Sequence, residues 1–240
     1  MSCCSGKVGD EEYEDKRSRK SVVNSNRGMH GCFRGTAVAA AAEENVSVLG
    51  EFASNLRMSA EDGDRQAMSD LSKFEQLSSD KRSELEAFLE GKRVPTLNYG
   101  EGETVATDGD FSRELKTSPS VTLYAAGGEK YIESSDEFKF AGISITKTKV
   151  SGSYETKPGV GATRILGHQC NVVHNYQPLT QVKTDKSNAY TSGGNATFLC
   201  AVEVKRGVPS PWGRIGWSTK NATQGVVGNG NGNVINQGWM

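Results

Sequence analysis

The stretch TFLCAVEV, residues 197–204, decides the fold of the larger part of this chain. Every second side chain in it is apolar, starting at the phenylalanine. The apolar positions are Phe198, Cys200, Val202 and Val204. Since successive side chains of a β-strand point to opposite faces of a sheet, this alternation predicts a strand with one face buried and the other face towards solvent.

Other stretches beyond Pro95 have the same character, with many Thr, Ser, Val, Gly and Tyr residues between turn signals. They predict further strands at Val121–Tyr124, Lys130–Ile132, Arg164–Tyr176 and Thr180–Thr184. No helical pattern interrupts them. Short strands joined directly by turns favour antiparallel pairing, so residues 97–222 are expected to form an antiparallel β-sandwich or barrel-like domain.

A change of parity occurs between two apolar pairs in this region. Phe138 and Phe140 share one face of a strand, whereas Ile143 and Ile145 fall on the opposite parity. One additional residue would restore both pairs to the same face. The sequence therefore predicts a β-bulge at Ala141–Gly142.

Residues 36–93 have a helical period instead. Three helices are predicted: one from Ala37 to Met58, a second that begins with a capping motif at Ser59–Asp62, and a third from Asp80 to a stop at Gly91. Pro95 follows and disfavours further helix at the residue before it. Each helix has a single apolar stripe, so it must pack on the β-rich part, on another helix or on a partner.

The two ends of the chain have little apolar periodicity. Residues 1–35 are predicted to be a disordered charged arm, and residues 223–240 a flexible tail rich in Gly and Asn. Trp239 complicates the second prediction because an indole ring is costly to leave in water; the alternative is that it docks into a groove. The predicted class is α+β, with a disordered N-terminal arm and short helices before the β-rich domain.

Composition limits the functions that the chain can have. Its 28 basic and 29 acidic residues give a net charge of -1, which excludes the uniformly positive field of a dedicated nucleic-acid coat. Contacts with RNA or DNA would have to be local. The first candidate patch is the basic cluster Lys16, Arg17, Arg19 and Lys20, although an acidic block precedes it and a solvated charged tail is the simpler interpretation.

A second candidate patch combines basic and aromatic residues near the C-terminus. It contains Lys205, Arg206, Trp212, Arg214 and Trp217. Such a set can stack bases and contact phosphates. Trp212 and Trp217 equally suit a membrane surface or a glycan, and they could also simply cover the core of the β domain.

The residues with catalytic or metal-binding chemistry are few. His168, Cys170 and His174 share one face of a predicted strand, but the two histidines would lie about 20 Å apart at roughly 3.3 Å per residue. They cannot then share one metal ion. We expect no metal site, no catalytic residues, no cofactor and no enzymatic activity. The five cysteines have no regular spacing, which favours a reducing compartment.

These observations favour a structural, self-assembling protein associated with nucleic acid, such as a viral capsid or matrix subunit. The alternative is a ligand- or membrane-binding β-sandwich module of the lectin or pore-forming type. Self-association is expected in the first case, with RNA or DNA as a partner, and membrane or glycan contact in the second. The sequence shows no signal peptide, so a cytoplasmic location is expected, and the basic cluster would also be compatible with the nucleus.

Overall fold

The computed structural model describes residues 47–99, 103–118, 128–209 and 215–240. Its helices are α1 (Val48–Glu61), α2 (Arg65–Glu75) and α3 (Ser79–Leu89). The first five strands are β1 (Val105–Asp108), β2 (Phe111–Ser118), β3 (Gly128–Phe140), β4 (Ile143–Lys157) and β5 (Gly161–Asn175). They are followed by β6 (Thr180–Ser192), β7 (Asn195–Pro209), β8 (Ile215–Gly228) and β9 (Val234–Trp239).

The strands form two antiparallel sheets, and neighbours in the chain are neighbours in each sheet. The first sheet has the order β1-β2-β3-β4-β5 and the second β6-β7-β8-β9. The α+β prediction, with most of the structure in β-strands, is therefore confirmed. The strand predicted from residues 197–204 lies in β7, where Phe198, Cys200 and Val202 are buried.

The helices begin and end for local reasons. Ser47, Asp64 and Ser78 cap α1, α2 and α3, and each side chain accepts a backbone N–H in the first turn. The predicted capping motif at Ser59–Asp62 is wrong, since α1 continues through Glu61 and Asp64 is the acceptor that starts α2. The predicted stop at Gly91 is confirmed by its φ of 79° directly after α3.

The predicted bulge at Ala141–Gly142 is wrong as well. These two residues form the tight turn of the β3–β4 hairpin, with Phe140 paired to Ile143. Their φ angles are 47° and 77°, and a two-residue turn with both φ values positive matches the twist of the strands that it joins. The reversal of chain direction accounts for the change of parity.

Two hydrophobic clusters hold the described elements together. In the first, residues of the three helices pack on the hairpin ends of β2, β3 and β4, and Phe52, Phe88, Phe111 and Phe140 are among its buried members. The second lies between the two sheets and includes Ile132, Val150, Tyr154, Phe198 and Val226. The helical segment and the β-rich part thus share a core.

The C-terminal segment differs from the predicted flexible tail. β8 extends to Gly228, and β9 adds an antiparallel edge strand in which Gly225 pairs with Gly238 and Gln224 with Trp239. Glycine and asparagine are disfavoured in strands on average, but here close packing requires small residues. A Cβ at Gly225 would lie 2.7 Å from the sulfur of Met240.

The predicted arm 1–35, residues 37–46 of the first predicted helix and the predicted strand Val121–Tyr124 lie outside the described residues. Within the described residues, no helix is long and apolar enough to cross a membrane.

Candidate functional site

A buried polar site of the β-rich part surrounds the carboxylate of Asp136. This side chain is only 4% exposed. Arg113 Nε donates to its two oxygens at 2.8 and 3.0 Å, Trp239 Nε1 donates to Oδ2 at 2.7 Å, and the Tyr99 hydroxyl donates to Oδ2 at 3.2 Å. A buried carboxylate is stable only with such partners. The site therefore has a fixed negative charge matched by fixed donors.

Strand geometry brings these groups together from distant parts of the chain. Arg113 lies on β2 and Asp136 on β3, two residues apart along the paired strands, because Leu115 pairs with Asp136 and Arg113 with Phe138. Trp239 comes from β9 in the other sheet, and its ring lies 4.4 Å below the guanidinium carbon of Arg113. That distance allows a cation–π contact. The site thus joins the two sheets.

A cavity of about 310 Å³ opens beside this site. Arg113, Asp136 and Trp239 line one part of it. Most of the remaining wall is apolar and comes from both sheets and from the segment after α3; it includes Pro95, Leu97, Phe138, Val182, Val202 and Val204. A second cavity of about 430 Å³ shares Arg113, Val202, Val204 and Trp239 with the first. The Arg113–Trp239 pair thus borders both cavities.

Electrostatics keep Tyr99 protonated. Burial, the negative charge of Asp136 and the hydrogen bond to it raise the pKa of the Tyr99 hydroxyl far above its ordinary value, while Arg113 lowers it. Tyr99 therefore acts as a hydrogen-bond donor across the neutral pH range.

A further polar pair lies next to the first cavity. Thr148, which lines that cavity, donates to Gln224 Oε1 at 2.8 Å, and both side chains are buried. Gln224 Nε2 has no hydrogen-bond partner among the described residues. A buried donor without a partner is costly, so the position of Gln224 lowers the stability of the interior between the sheets.

Of the predicted ligand-type residues, the structure brings His168 and Cys170 together but not His174. Cys170 forms a disulfide with Cys200 of β7, and the two Cα atoms are 5.7 Å apart. His168 Nε2 lies 3.5 Å from the sulfur of Cys170 and 3.8 Å from that of Cys200. Burial, with a smaller effect of Lys186, lowers the pKa of His168. The expectation of reduced, unconnected cysteines does not match this pair, because the facing strand supplies the partner that sequence spacing could not reveal.

His174 instead forms a pair with a serine that the sequence did not indicate. Its Nε2 lies 2.6 Å from Ser144 Oγ, and its ring stacks on Tyr176 with centroids 4.7 Å apart. A Ser–His pair at this distance suggests nucleophilic catalysis. Ser144 is fully buried, however, and its backbone N–H bonds to the equally buried Asp70. A substrate carbonyl has no path to this hydroxyl, so the pair stabilises the fold.

The predicted nucleic-acid residues in the described region have partners within the chain. Arg206 donates to the carbonyls of Phe88 and Leu89 at the end of α3, and its guanidinium lies 5.0 Å from the centre of the Phe88 ring. Lys205 forms an ion pair with Glu203 at 3.0 Å, and both side chains are about one-third exposed. Of this pair, Lys205 is the better placed to contact phosphate.

The contacts of the other predicted site residues are not described. Lys16, Arg17, Arg19, Lys20, Trp212 and Arg214 lie outside the described residues. Trp217 lies on β8, where it pairs with Gly207 of β7.

Comparison of the chain with protein-family models, with curated proteins and with solved structures gives no match. The function must therefore be argued from the geometry of the site. Sequence reasoning missed Tyr99, Arg113 and Asp136 because they are isolated in the sequence and converge only when β2, β3 and β9 assemble. The one available signal was Trp239, for which docking into a groove was the alternative to a flexible tail; its indole N–H bonds to Asp136.

Proposed function

We propose that the β-rich part is a ligand-binding β-sandwich module whose cleft between the sheets accepts a small molecule. The observation that carries this proposal is the cavity of about 310 Å³, with mostly apolar walls and the Arg113–Asp136–Trp239 cluster at one side. Ligand sites typically have volumes of roughly 300 to 1,000 Å³ and apolar walls with a few fixed polar groups.

The cluster also defines the chemistry of the ligand. Among the described residues, the acceptors for Arg113 are the two oxygens of Asp136, both reached by Nε. A guanidinium has four further N–H groups on its two Nη atoms. A ligand with an apolar body and one hydrogen-bond acceptor, such as a carbonyl, a carboxylate or a sulfonate, would complement this wall.

The test is a binding titration in which the fluorescence of Trp239 is the signal. Trp212→Phe and Trp217→Phe first remove the other two indoles. The probe is 8-anilinonaphthalene-1-sulfonate, which combines an apolar body with an acceptor group, added under conditions where the protein is fully folded. We expect saturable binding with one site and a change in Trp239 emission.

A matched pair of variants locates the site. Val204→Phe places a larger side chain on the wall shared by the two cavities, whereas Val173→Phe makes the same change at an exposed position of β5. We expect Val204→Phe to weaken probe binding at least about tenfold, equivalent to about 1.4 kcal/mol, and Val173→Phe to leave it unchanged. Equal binding by both variants would reject the cleft as the site.

The self-assembling, nucleic-acid-associated function stays a prediction, since five of its seven basic residues lie outside the described residues: Arg214 and the four of the N-terminal cluster, Lys16, Arg17, Arg19 and Lys20. It requires particles or oligomers in light scattering, and RNA binding that weakens with salt and with replacement of those four residues by Ala. A monomer indifferent to RNA would reject it. The lectin or pore-forming type of module also stays a prediction. It depends on Trp217 and on Trp212, and the latter lies outside the described residues.

A further inference from the structure

Three metal-ligating side chains converge on the cleft between β5 and β7, away from the Asp136 cluster. The ligand atoms of His168, Cys170 and Cys200 all lie within 4.8 Å of one another. Cys200 is buried and the other two residues are half-buried. His168 and Cys170 are two residues apart on one face of β5, and Cys200 faces them from the other sheet.

The distances match those of a metal site. In tetrahedral zinc sites the Zn–S distance is about 2.3 Å and the Zn–N distance about 2.0 to 2.1 Å, so neighbouring N and S ligands lie about 3.6 Å apart. His168 Nε2 is 3.5 Å from one sulfur and 3.8 Å from the other. The imidazole nitrogen thus lies at a suitable ligand distance from both sulfurs, and the two sulfurs must move apart after reduction to bind the same metal ion.

The three ligand residues come from two strands that face each other. His168 and Cys170 lie on β5, and the buried Cys200 lies on β7. The spacing argument against His168 and His174 does not apply here, because Cys200 from the facing strand takes the place of His174.

We propose that His168, Cys170 and Cys200 form a zinc site that is closed by the disulfide and opened by its reduction. Two equivalents of a thiol reductant convert the Cys170–Cys200 disulfide into two cysteine thiols and become a disulfide themselves. Zn²⁺ then binds both sulfurs and His168 Nε2, and the two thiol protons are released to solvent. A water molecule completes the fourth position. The cross-link between β5 and β7 is thereby kept in either redox state.

The test uses the full chain with Cys3, Cys4 and Cys32 replaced by Ser, so that only the cysteines of the site remain. Co²⁺ is titrated as a spectroscopic substitute for zinc, before and after reduction with a phosphine that does not bind the metal. The reduced protein is expected to bind one Co²⁺ per chain with thiolate-to-cobalt charge-transfer absorption, and the oxidised protein to show none. Zn²⁺ should then displace the cobalt.

Two matched variants identify the nitrogen ligand. His168→Gln removes the proposed ligand but leaves both cysteines, and His174→Gln makes the same change at the histidine bonded to Ser144. His168→Gln should weaken Co²⁺ binding at least about tenfold, since even the loss of an outer-shell partner costs that much, and His174→Gln should not. Circular dichroism of both oxidised variants establishes that they are folded.

Each outcome is decisive. Absence of cobalt binding to the folded, reduced protein would overturn the site, and equal affinity in His168→Gln would overturn the role of the histidine. Binding by the oxidised protein would show that the metal sits elsewhere.

Discussion

Trp239 donates its indole N–H to Oδ2 of Asp136 at 2.7 Å, across the gap between the two sheets. This bond joins the last strand of the chain to the middle of the first sheet. A second bond joins the same two strands with the donor on β3, since Ser134 Oγ donates to Gln237 Oε1 at 2.8 Å. The edge strand β9 is therefore attached by polar contacts as well as by its pairing with β8.

Trp239→Phe should lower the free energy of unfolding by about 2 kcal/mol, because hydrogen bonds to a charged group contribute about 1.5 to 3 kcal/mol. Amide hydrogen exchange should become faster in β9 than in β7. Urea unfolding of Trp239→Phe, of Asp136→Asn and of the double variant gives their coupling energy, which we expect to reach about 1 kcal/mol. Strictly additive effects would mean that the two side chains do not interact in solution.

Gly152 on β4 is the second point where the sheets constrain each other. A Cβ at this position would lie 2.2 Å from the ring of Phe198 on β7. We expect Gly152→Ala to cost about 1 to 3 kcal/mol, as overpacked cores do, measured by thermal or urea unfolding. Phe198→Leu in the same chain should recover part of this loss.

Gly167→Ala on β5 is the control for this change. A Cβ there would meet only the hydroxyl of Ser153, at 3.0 Å, and that side chain can rotate. A similar loss of stability in both glycine variants would show that backbone flexibility, and not the contact with Phe198, explains the result.

The parts of the fold with a strong local signal could be predicted from the sequence. The alternation in residues 197–204 specified β7, and Gly91 specified the end of α3. The inner faces of β3 and β4 gave no such signal, because they bury Ser134, Asp136 and Thr148 where apolar residues would be expected. With polar side chains on both faces of the strand, the alternation of apolar and polar residues disappears. In the structure these buried polar side chains form hydrogen bonds to the other sheet.

The candidate site was less predictable than the fold for a related reason. Arg113 and Asp136 are 23 residues apart, and Trp239 is 103 residues from Asp136. Cys170 and Cys200 are separated by 30 residues. Such contacts depend on which strands face each other, and this cannot be derived from spacing along one strand.

Arg206 and Lys205 are adjacent in the chain but have different contacts. Arg206 bonds to the end of α3, and Lys205 forms a partly exposed ion pair with Glu203. Arg206→Gln should lower the free energy of unfolding by about 1.5 to 3 kcal/mol, because the carbonyls at the end of α3 lose a charged donor. Lys205→Gln should cost less than about 1 kcal/mol, since its ion pair with Glu203 is partly exposed. Urea unfolding measures both.

The same two variants separate packing from nucleic-acid binding. Should the chain bind RNA, Lys205→Gln is expected to reduce the affinity and its salt dependence while it costs less than about 1 kcal/mol of stability. Loss of RNA affinity in Arg206→Gln with unchanged stability would contradict the structural role of Arg206.

The lowered pKa values of His168 and His174 predict how the free energy of unfolding depends on pH. Burial lowers the pKa of His174, and Lys147 acts in the same direction, while Glu137, Asp64 and Asp70 oppose it. Burial also lowers the pKa of His168. In the unfolded chain both should titrate near the ordinary value of about 6.5. As pH falls below that value, the unfolded state binds protons that the folded state does not, so the free energy of unfolding must decrease.

Nuclear magnetic resonance titration of the imidazole Cε1–H signals measures this directly, and both midpoints are expected below 6.5. His174→Gln should lower stability at neutral pH, since Ser144 loses its partner, but should also make the pH dependence between about 5 and 7 shallower. His168→Gln is the comparison, because it removes a proton-binding group without affecting Ser144. A His174 midpoint above 6.5 would mean that Glu137, Asp64 and Asp70 outweigh burial, and stability would then rise as the solution is acidified through that midpoint.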